Sequence, residues 1–488
     1  MRLRGQTSGG IRRVRRRLIG TLAAAAALLV LPASAEANLD LTGSHAEPAD
    51  LQAGAHSDFN IHVQFGSEDV KDLTISLPPG EVGNPLATPQ LCDPGQLPNC
   101  PANTAVGTVS SSVTIASLLP QTITGTVFNV APQTGEPARF GIVLNASPIA
   151  LPPPLNGFLL PPTVVQSGAS LRQSDLGLDT VVKDIPNTAT LIGGVLPPVP
   201  IHINSMDLKL NGTAAGPPPQ PFMRNPTSCT DHLVRFAGDS YASSTVVTTD
   251  SPAFATTGCE KEDFSPSFSA IVEGANASMK TSVTTSIDQD LDEAGLVQAR
   301  VVIPPDLNPD VQLLGNRCSP ADFEAGVCPP NTIMGSAVAA SPLLSQPLAG
   351  NVVFVETGGT PDIGLDLQGQ LHLLLWGSLG LDKVVVFDGL PDIPIAHFAL
   401  TFPSAPGLLT ASRNLCVPPP PLFHADFTGY NGASTAVDSS ATVQGACGQN
   451  AATKCKKAKK KRHKRRAAEA KKKHKKKSCK KKKRKKKR

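Results

Sequence analysis

Short runs in which every second residue is apolar recur along the chain between turn signals. In DFNIHVQF (58 to 65), Phe59, Ile61, Val63 and Phe65 alternate with Asn60, His62 and Gln64. A period of two puts one face of a strand on a core and leaves the other wet. DLTISL (72 to 77), TITGTVFNV (122 to 130), NVVFV (351 to 355) and KVVVF (383 to 387) are β-branched, short, and closed by Pro, Gly or Asn. Strands spaced by such turns are the pattern of sandwiches. With 46 Pro and 41 Gly in the chain, long helices are disfavoured. The expected fold class is all-β, a tandem of β-sandwich (Ig-like or jelly-roll-like) repeats.

The patterned segments occur twice. DLTISLPPGEVGNPLATPQLCDPGQLPNCPANTAVGTV from Asp72 corresponds to QARVVIPPDLNPDVQLLGNRCSPADFEAGVCPPNTIMGSAV from Gln298. Both read strand, Pro-Pro, Asn-Pro turn, Cys, loop, Cys-Pro, Asn-Thr, Gly and strand. ITGTVFNVAPQTGEPARFGIVL from Ile123 then matches LAGNVVFVETGGTPDIGLDL from Leu348, and RNPTSC (224 to 229) matches RNLC (413 to 416). Such self-similarity marks duplicated structural units. The predicted organisation is a leader at 1–37, a first repeat at 38–262, a second at 263–450, and a basic tail at 451–488. The first copy carries a Pro-rich insertion, PIALPPPLNGFLLPP (148 to 162), that reads as a loop.

Eight cysteines fall four to a repeat: Cys92, Cys100, Cys229 and Cys259, then Cys318, Cys328, Cys416 and Cys447. In an exported chain this spacing means disulfides, and four cysteines allow three pairings per repeat. The simplest set joins Cys92 to Cys100, Cys229 to Cys259, Cys318 to Cys328 and Cys416 to Cys447, because these sequence-near pairs recur in both copies. Zinc is disfavoured, since no Cys-x-x-Cys is present and the histidines do not repeat with the cysteines. Cys455 and Cys479 are left over in the tail, where they could pair with each other or crosslink chains.

Export is read from the leader. It has an Arg-rich start, an apolar stretch from Leu18 to Leu31, and small residues for cleavage after Ala35 or Ala37. That stretch rises about 21 Å as a helix, short of a ~30 Å hydrocarbon layer, so a retained anchor is disfavoured. Arg12-Arg13 raises the twin-arginine route, although Arg15 stands where that signal wants an apolar residue. No later segment looks able to span a bilayer.

The net charge of +6 conceals a separation. From Lys454 to Arg488 there are 25 Lys or Arg against one acid, Glu469, whereas residues 38–453 hold 37 acids against 13 bases, about −24. A run so basic cannot bury a core and is expected to be disordered in isolation. Its candidate polyanion-binding residues are Lys456, Lys457, Lys459, Lys460, Lys461, Arg462, Lys464, Arg465, Arg466, Lys471, Lys472, Lys473, Lys480, Lys481, Lys482, Lys483 and Arg484. They would bind by counterion release and by attraction to anionic surfaces. Anionic wall polymers or lipid head groups are the expected partners of a secreted, wall-associated protein. Self-association of tail with acidic body is a further expectation. Non-specific binding of extracellular DNA through the tail is a third reading, whereas sequence-specific readout is not expected, because it needs a folded reader that an acidic body does not offer.

Chemistry is sparse. GDSY (238 to 241) has the look of an esterase nucleophile block but lacks a placed Asp-x-x-His, and reads as a turn. DQDLDEAG (288 to 295) alternates carboxylates as calcium loops do, yet lacks the Gly and Glu such loops need, and a hairpin turn is favoured. The scattered body histidines His62, His202, His232, His372, His397 and His424 show no ligand spacing. Phosphate loops, Ser-x-x-Lys and His-Glu-x-x-His are absent from the sequence. The expectation is a non-catalytic protein without cofactor or metal. An alternative is a carbohydrate- or protein-binding adhesive module, which would need aromatic platforms, and Trp376, Tyr241 and Tyr430 are few and unclustered in sequence.

The string LPPGEVGNP…C…CPANTAVG, the later FNVAPQTGEPARFGI, NPTSC and the Lys- and Cys-bearing tail resemble a family of large secreted repeat proteins of high-GC Gram-positive actinobacteria. The resemblance spans roughly residues 55 to 450. It implies a secreted β-repeat architecture and supplies no catalytic residues. The second copy departs from it, with Asp306 where Gly80 stands and RNLC in place of RNPTSC.

Overall fold

The computed structural model describes residues 39–149, 157–192, 197–216 and 218–445. These residues are almost all β, arranged as two large curled sheets, one a near-barrel and the other a half-barrel. The alternation seen in the sequence is the alternation of burial. Phe59–Gln64 buries Phe59, Ile61 and Val63, and Ser267–Glu273 buries Phe268, Ala270 and Val272.

Neighbouring strands of the first sheet run Val199–Leu210, Ala105–Ile115, Leu119–Val130, Arg139–Leu144, Thr163–Leu171, Leu178–Val182, Val70–Ser76, Arg235–Ser240 and Val247–Asp250. The second sheet repeats that order with His397–Phe402, Ile333–Ala340, Leu348–Val355, Asp362–Gln368, Leu373–Leu379, Val384–Asp388, Leu296–Val302, Leu422–Gly429 and Ser434–Ser440. The duplication is therefore one of topology as well as of sequence, down to a bulge at Ala105/Gly107 in one copy and Ile333/Gly335 in the other. Each sandwich-like core is enclosed by a single continuous sheet that curls, with bulges supplying local twist.

The two interiors are separate apolar clusters. Phe59, Val63, Leu73, Phe222 and Phe236 anchor the first, and Phe268, Val352, Phe354, Leu365, Phe423 and Phe427 the second. Outside each sheet, a disulfide loop seals a smaller cluster: Cys92 with Phe128 and Val130, and Cys318 with Phe323 and Val355. Cys92 bridges Val130, and Cys318 bridges Val355, in the same parallel manner. The expected Pro-rich insertion begins and ends in a two-residue strand pair, Ser147–Pro148 with Leu159–Leu160. No helix among the described residues is long and apolar enough to cross a membrane.

Candidate functional site: the junction between the two copies

The segment Arg224 to Cys229 leaves the short pair formed by Met223–Arg224 and Val82–Gly83 and enters a buried polar junction with the second copy. Thr227 donates its backbone N–H and its hydroxyl to the Asp392 carboxylate at 2.7 and 2.5 Å. The same hydroxyl accepts the Gly295 N–H at 3.0 Å. Arg224, buried, donates to the Glu293 carbonyl at 2.7 Å. Asn225 turns back instead, donating to the carbonyls of Asp50 and Gln52 and so fixing the loop to its own copy. The Cys229–Cys259 disulfide closes the segment behind them.

Space for Asp392 comes from Gly80, the Gly of the Pro-Pro-Gly turn. Its φ of +88° suits glycine, and a Cβ there would lie 2.6 Å from Asp392 Oδ2. In the second copy Asp306 occupies the equivalent position, and Arg413 grips it through two parallel bonds of 2.8 Å. One copy thus presents an open socket filled by its neighbour, and the other closes the same socket with its own ion pair.

Burial dominates the electrostatics. It pushes the Asp392 carboxyl up from the ordinary range, against the Thr227 bonds and the Arg224 charge, which favour the anion. It also pushes the Arg224 guanidinium down, partly offset by Asp392, Glu262 and Asp292. Glu81, next to Gly80, is fully enclosed with no partner for either carboxylate oxygen among the described residues. Desolvation alone drives its pKa far upward.

Beside the junction lies a cleft of about 510 Å³. One wall is the turn Gln173 to Leu176 of the first copy, with Ser228, Thr230 and Asp231. The other holds Trp376, Asp388 and Tyr430 of the second. Gln173 spans its end like a strand residue, donating to the His372 carbonyl at 2.7 Å and accepting from the Leu374 N–H at 3.3 Å. Gln370 reaches the Pro137 carbonyl at 2.9 Å. Trp376 stands on the outer face of Leu373–Leu379 and is 36% exposed. The Phe323 ring meets it edge to face at 4.7 Å. Tyr430 is held by a bond to the Leu390 carbonyl, and burial raises its phenol to about 12. Tyr241 makes the same bond to Ile185 in the first copy.

The structure joins Cys92 to Cys100, Cys229 to Cys259 and Cys318 to Cys328. Cys416 is disulfide-bonded, and Cys447 lies outside the described residues, as do the leader and every candidate residue of the basic tail with Cys455 and Cys479. The GDSY serine, Ser240, ends a strand and is buried, its hydroxyl donating to the Glu68 carboxylate and to the Ser243 carbonyl. DQDLDEAG links Lys280–Asp288 to Leu296–Val302, strands that pair with other neighbours and not with each other, so it is a crossover loop rather than the expected hairpin turn, and its second half serves the junction. The Glu293 side chain accepts from Ser265, and Asp288 is held by His397 at 2.6 Å. Of the histidines, His62, His202, His372, His397 and His424 each face an aspartate, and His232 is buried against the Ser228 carbonyl. Sequence reasoning missed the cleft, because Trp376 and Tyr430 share no motif and meet only through the packing of the copies.

Three disulfides fit folding in an oxidising, extracytoplasmic compartment. No protein-family model matches the chain, and no curated protein matches its sequence. A solved structure bearing the words "membrane anchored protein from Corynebacterium diphtheriae" aligns over 82% of this chain and 91% of its own, at 10% identity and a TM-score of 0.16. At that score the likeness carries no inference about function.

Proposed function

We propose that the protein is exported and acts at the cell surface as a non-catalytic structural protein, its acidic β body held to anionic wall polymers by the cationic tail. The observation that carries this reading is the partition of charge: 25 basic residues in the last 35 positions, against a body of 37 acids and 13 bases. Outside the cell such a tail meets wall polyanions and lipid head groups, and each basic residue near an anionic surface contributes on the order of 1 kcal/mol. The disulfides support the compartment. The junction supports a structural role, since it ties two sheets into one acidic body through bonds from Thr227, Arg224 and Gln173. No cofactor enters this reading, and the tail recognises charge rather than nucleic-acid sequence.

The test is fractionation of cells into medium, wall and membrane with the full chain and with a form ending at Gly445. The full chain should be found with the wall and be released by high salt. Equal retention of the shortened form refutes electrostatic anchoring. Sedimentation at low and high salt separates wall binding from tail-to-body association, which would grow with protein concentration.

A further inference from the structure

The junction cleft has features that the anchoring role does not use. Trp376 is the chain's single tryptophan, and an indole left 36% exposed beside a concavity is a stacking surface. The Phe323 ring packed edge-on to it, itself fully buried, fixes its orientation. Gly364, its cross-strand partner, leaves the room that Phe323 fills, since a Cβ there would lie 2.6 Å from that ring. Across the cleft are groups with hydrogen-bonding capacity to spare. The Ser174 hydroxyl and the Asp231 carboxylate lack a partner among the described residues, and Asp388 is engaged only by Gln298 at 3.3 Å. The volume, about 510 Å³, lies within the ~300–1,000 Å³ of small-molecule sites.

We infer that this cleft binds an uncharged saccharide, one pyranose face stacked on Trp376 and its hydroxyls donating to Asp231 and Asp388. A sugar ring joins an apolar C–H face to a rim of hydroxyl donors, which a single aromatic platform opposite carboxylate acceptors complements. Those carboxylates disfavour phosphate-rich or uronic polymers, so the occupant differs in chemistry from the polyanion assigned to the tail. A protein partner would need a contiguous apolar core to its contact surface, and on the wall opposite Trp376 the apolar Pro79 and Leu176 are interspersed with Ser174, Ser228, Thr230 and Asp231. The site belongs to neither copy alone, which gives the polar junction a purpose: it holds the two walls at a fixed separation.

Isothermal titration of the full chain with tetrasaccharides of glucose, mannose, galactose and N-acetylglucosamine tests the inference. At least one should bind saturably, shift the fluorescence of Trp376, and keep its affinity when salt is raised. Trp376→Ala should weaken that binding about tenfold or more, and Asp231→Asn should weaken it with folding unchanged by circular dichroism. Trp376→Phe should retain part of the affinity. No binding by any of the four probes, or binding that survives Trp376→Ala, overturns the assignment. Binding that is abolished by salt and by removal of the tail, yet indifferent to Trp376, overturns it as well and leaves the anchoring role standing. Sugar binding that persists when the tail no longer retains the protein on the wall would separate the two readings in the other direction.

Discussion

Thr227 meets Asp392 through two hydrogen bonds, at 2.7 and 2.5 Å, although 165 residues separate them in sequence. The pair lies out of water, so its bonds to a carboxylate are of the stronger kind. Thr227→Val keeps the shape and removes the hydroxyl, leaving one carboxylate oxygen and the Gly295 N–H without their partner. The expected cost is roughly 1.5–3 kcal/mol. Urea unfolding followed by circular dichroism should show the first transition at lower denaturant. Because the lost bonds join the copies, the curve should also broaden or divide in two.

The buried carboxyls make stability depend on pH in a defined direction. Glu81 and Asp392 have folded pKa values raised above their unfolded ones by desolvation. Burial penalises the charged form of both, unopposed at Glu81 and opposed at Asp392 by the two Thr227 bonds and the Arg224 charge. The contribution is therefore fully present below the unfolded pKa and is lost as pH rises through the folded value. Glu81→Gln removes the ionisation of the group that has no partner. The variant should be more stable than the parent at neutral pH, by on the order of 1 kcal/mol or more, and should lose the advantage below about pH 4. Melting curves from pH 3 to 8 check both ends.

Two disulfides of different span allow a comparison within one molecule. Cys92–Cys100 closes a separation of 8 residues and Cys229–Cys259 one of 30. The chain-entropy relation gives about 2.5 and 3.6 kcal/mol respectively for these spans. Serine pairs at 229 and 259 should thus lower the denaturation midpoint more than serine pairs at 92 and 100. The larger loss should be accompanied by loosening of the junction, since Ser228 and Thr256 bond beside that bridge.

The copies can be exchanged at one position. Gly80→Asp puts a side chain at φ +88° into the Asp392 carboxylate, adding steric and like-charge conflict in a buried site. A loss of about 3 kcal/mol or more is expected. The reciprocal Asp306→Gly removes a bidentate but partly exposed ion pair with Arg413, whose solvent-screened loss costs much less than a buried conflict. Thermal unfolding of both variants should show that asymmetry, and equal losses would mean that the two sockets do the same work.

Much of this was legible in the sequence because it is written in local patterns. Alternation at Phe59 to Phe65 is read directly as burial, and the near-identical order of Pro-Pro, Cys and Asn-Thr in the two copies is read as shared topology. The junction was half visible. NPTSC and its shortened counterpart RNLC differed, as did Gly80 and Asp306, and these are the positions where one copy accepts the other. What they accept was hidden, because Asp392 sits in an unremarked Pro-Asp-Ile-Pro turn whose role depends on docking. The acidic segment 288 to 295 has the composition of a hairpin turn, yet its flanking strands pair elsewhere in the sheet, and nothing local shows that its Glu293 carbonyl receives Arg224. The cleft was invisible for the same reason, since its walls come from segments brought together only by long-range packing.

The platform itself can be tested without any ligand. Gly364 lies directly across the strand pair from Trp376, and a methyl group at its Cβ would fall 2.6 Å from Cε2 of Phe323. Phe323 lies within the Cys318–Cys328 loop and is fully buried. Gly364→Ala must therefore displace that ring or the loop that carries it, at a cost of about 1–3 kcal/mol. With its edge-to-face neighbour moved, the indole loses the contact that orients it. Since the chain has one tryptophan, the emission spectrum reports this site alone. A red shift and faster quenching by acrylamide are expected, with the far-ultraviolet circular dichroism unchanged. A spectrum identical to the parent's would mean that Phe323 does not set the position of Trp376.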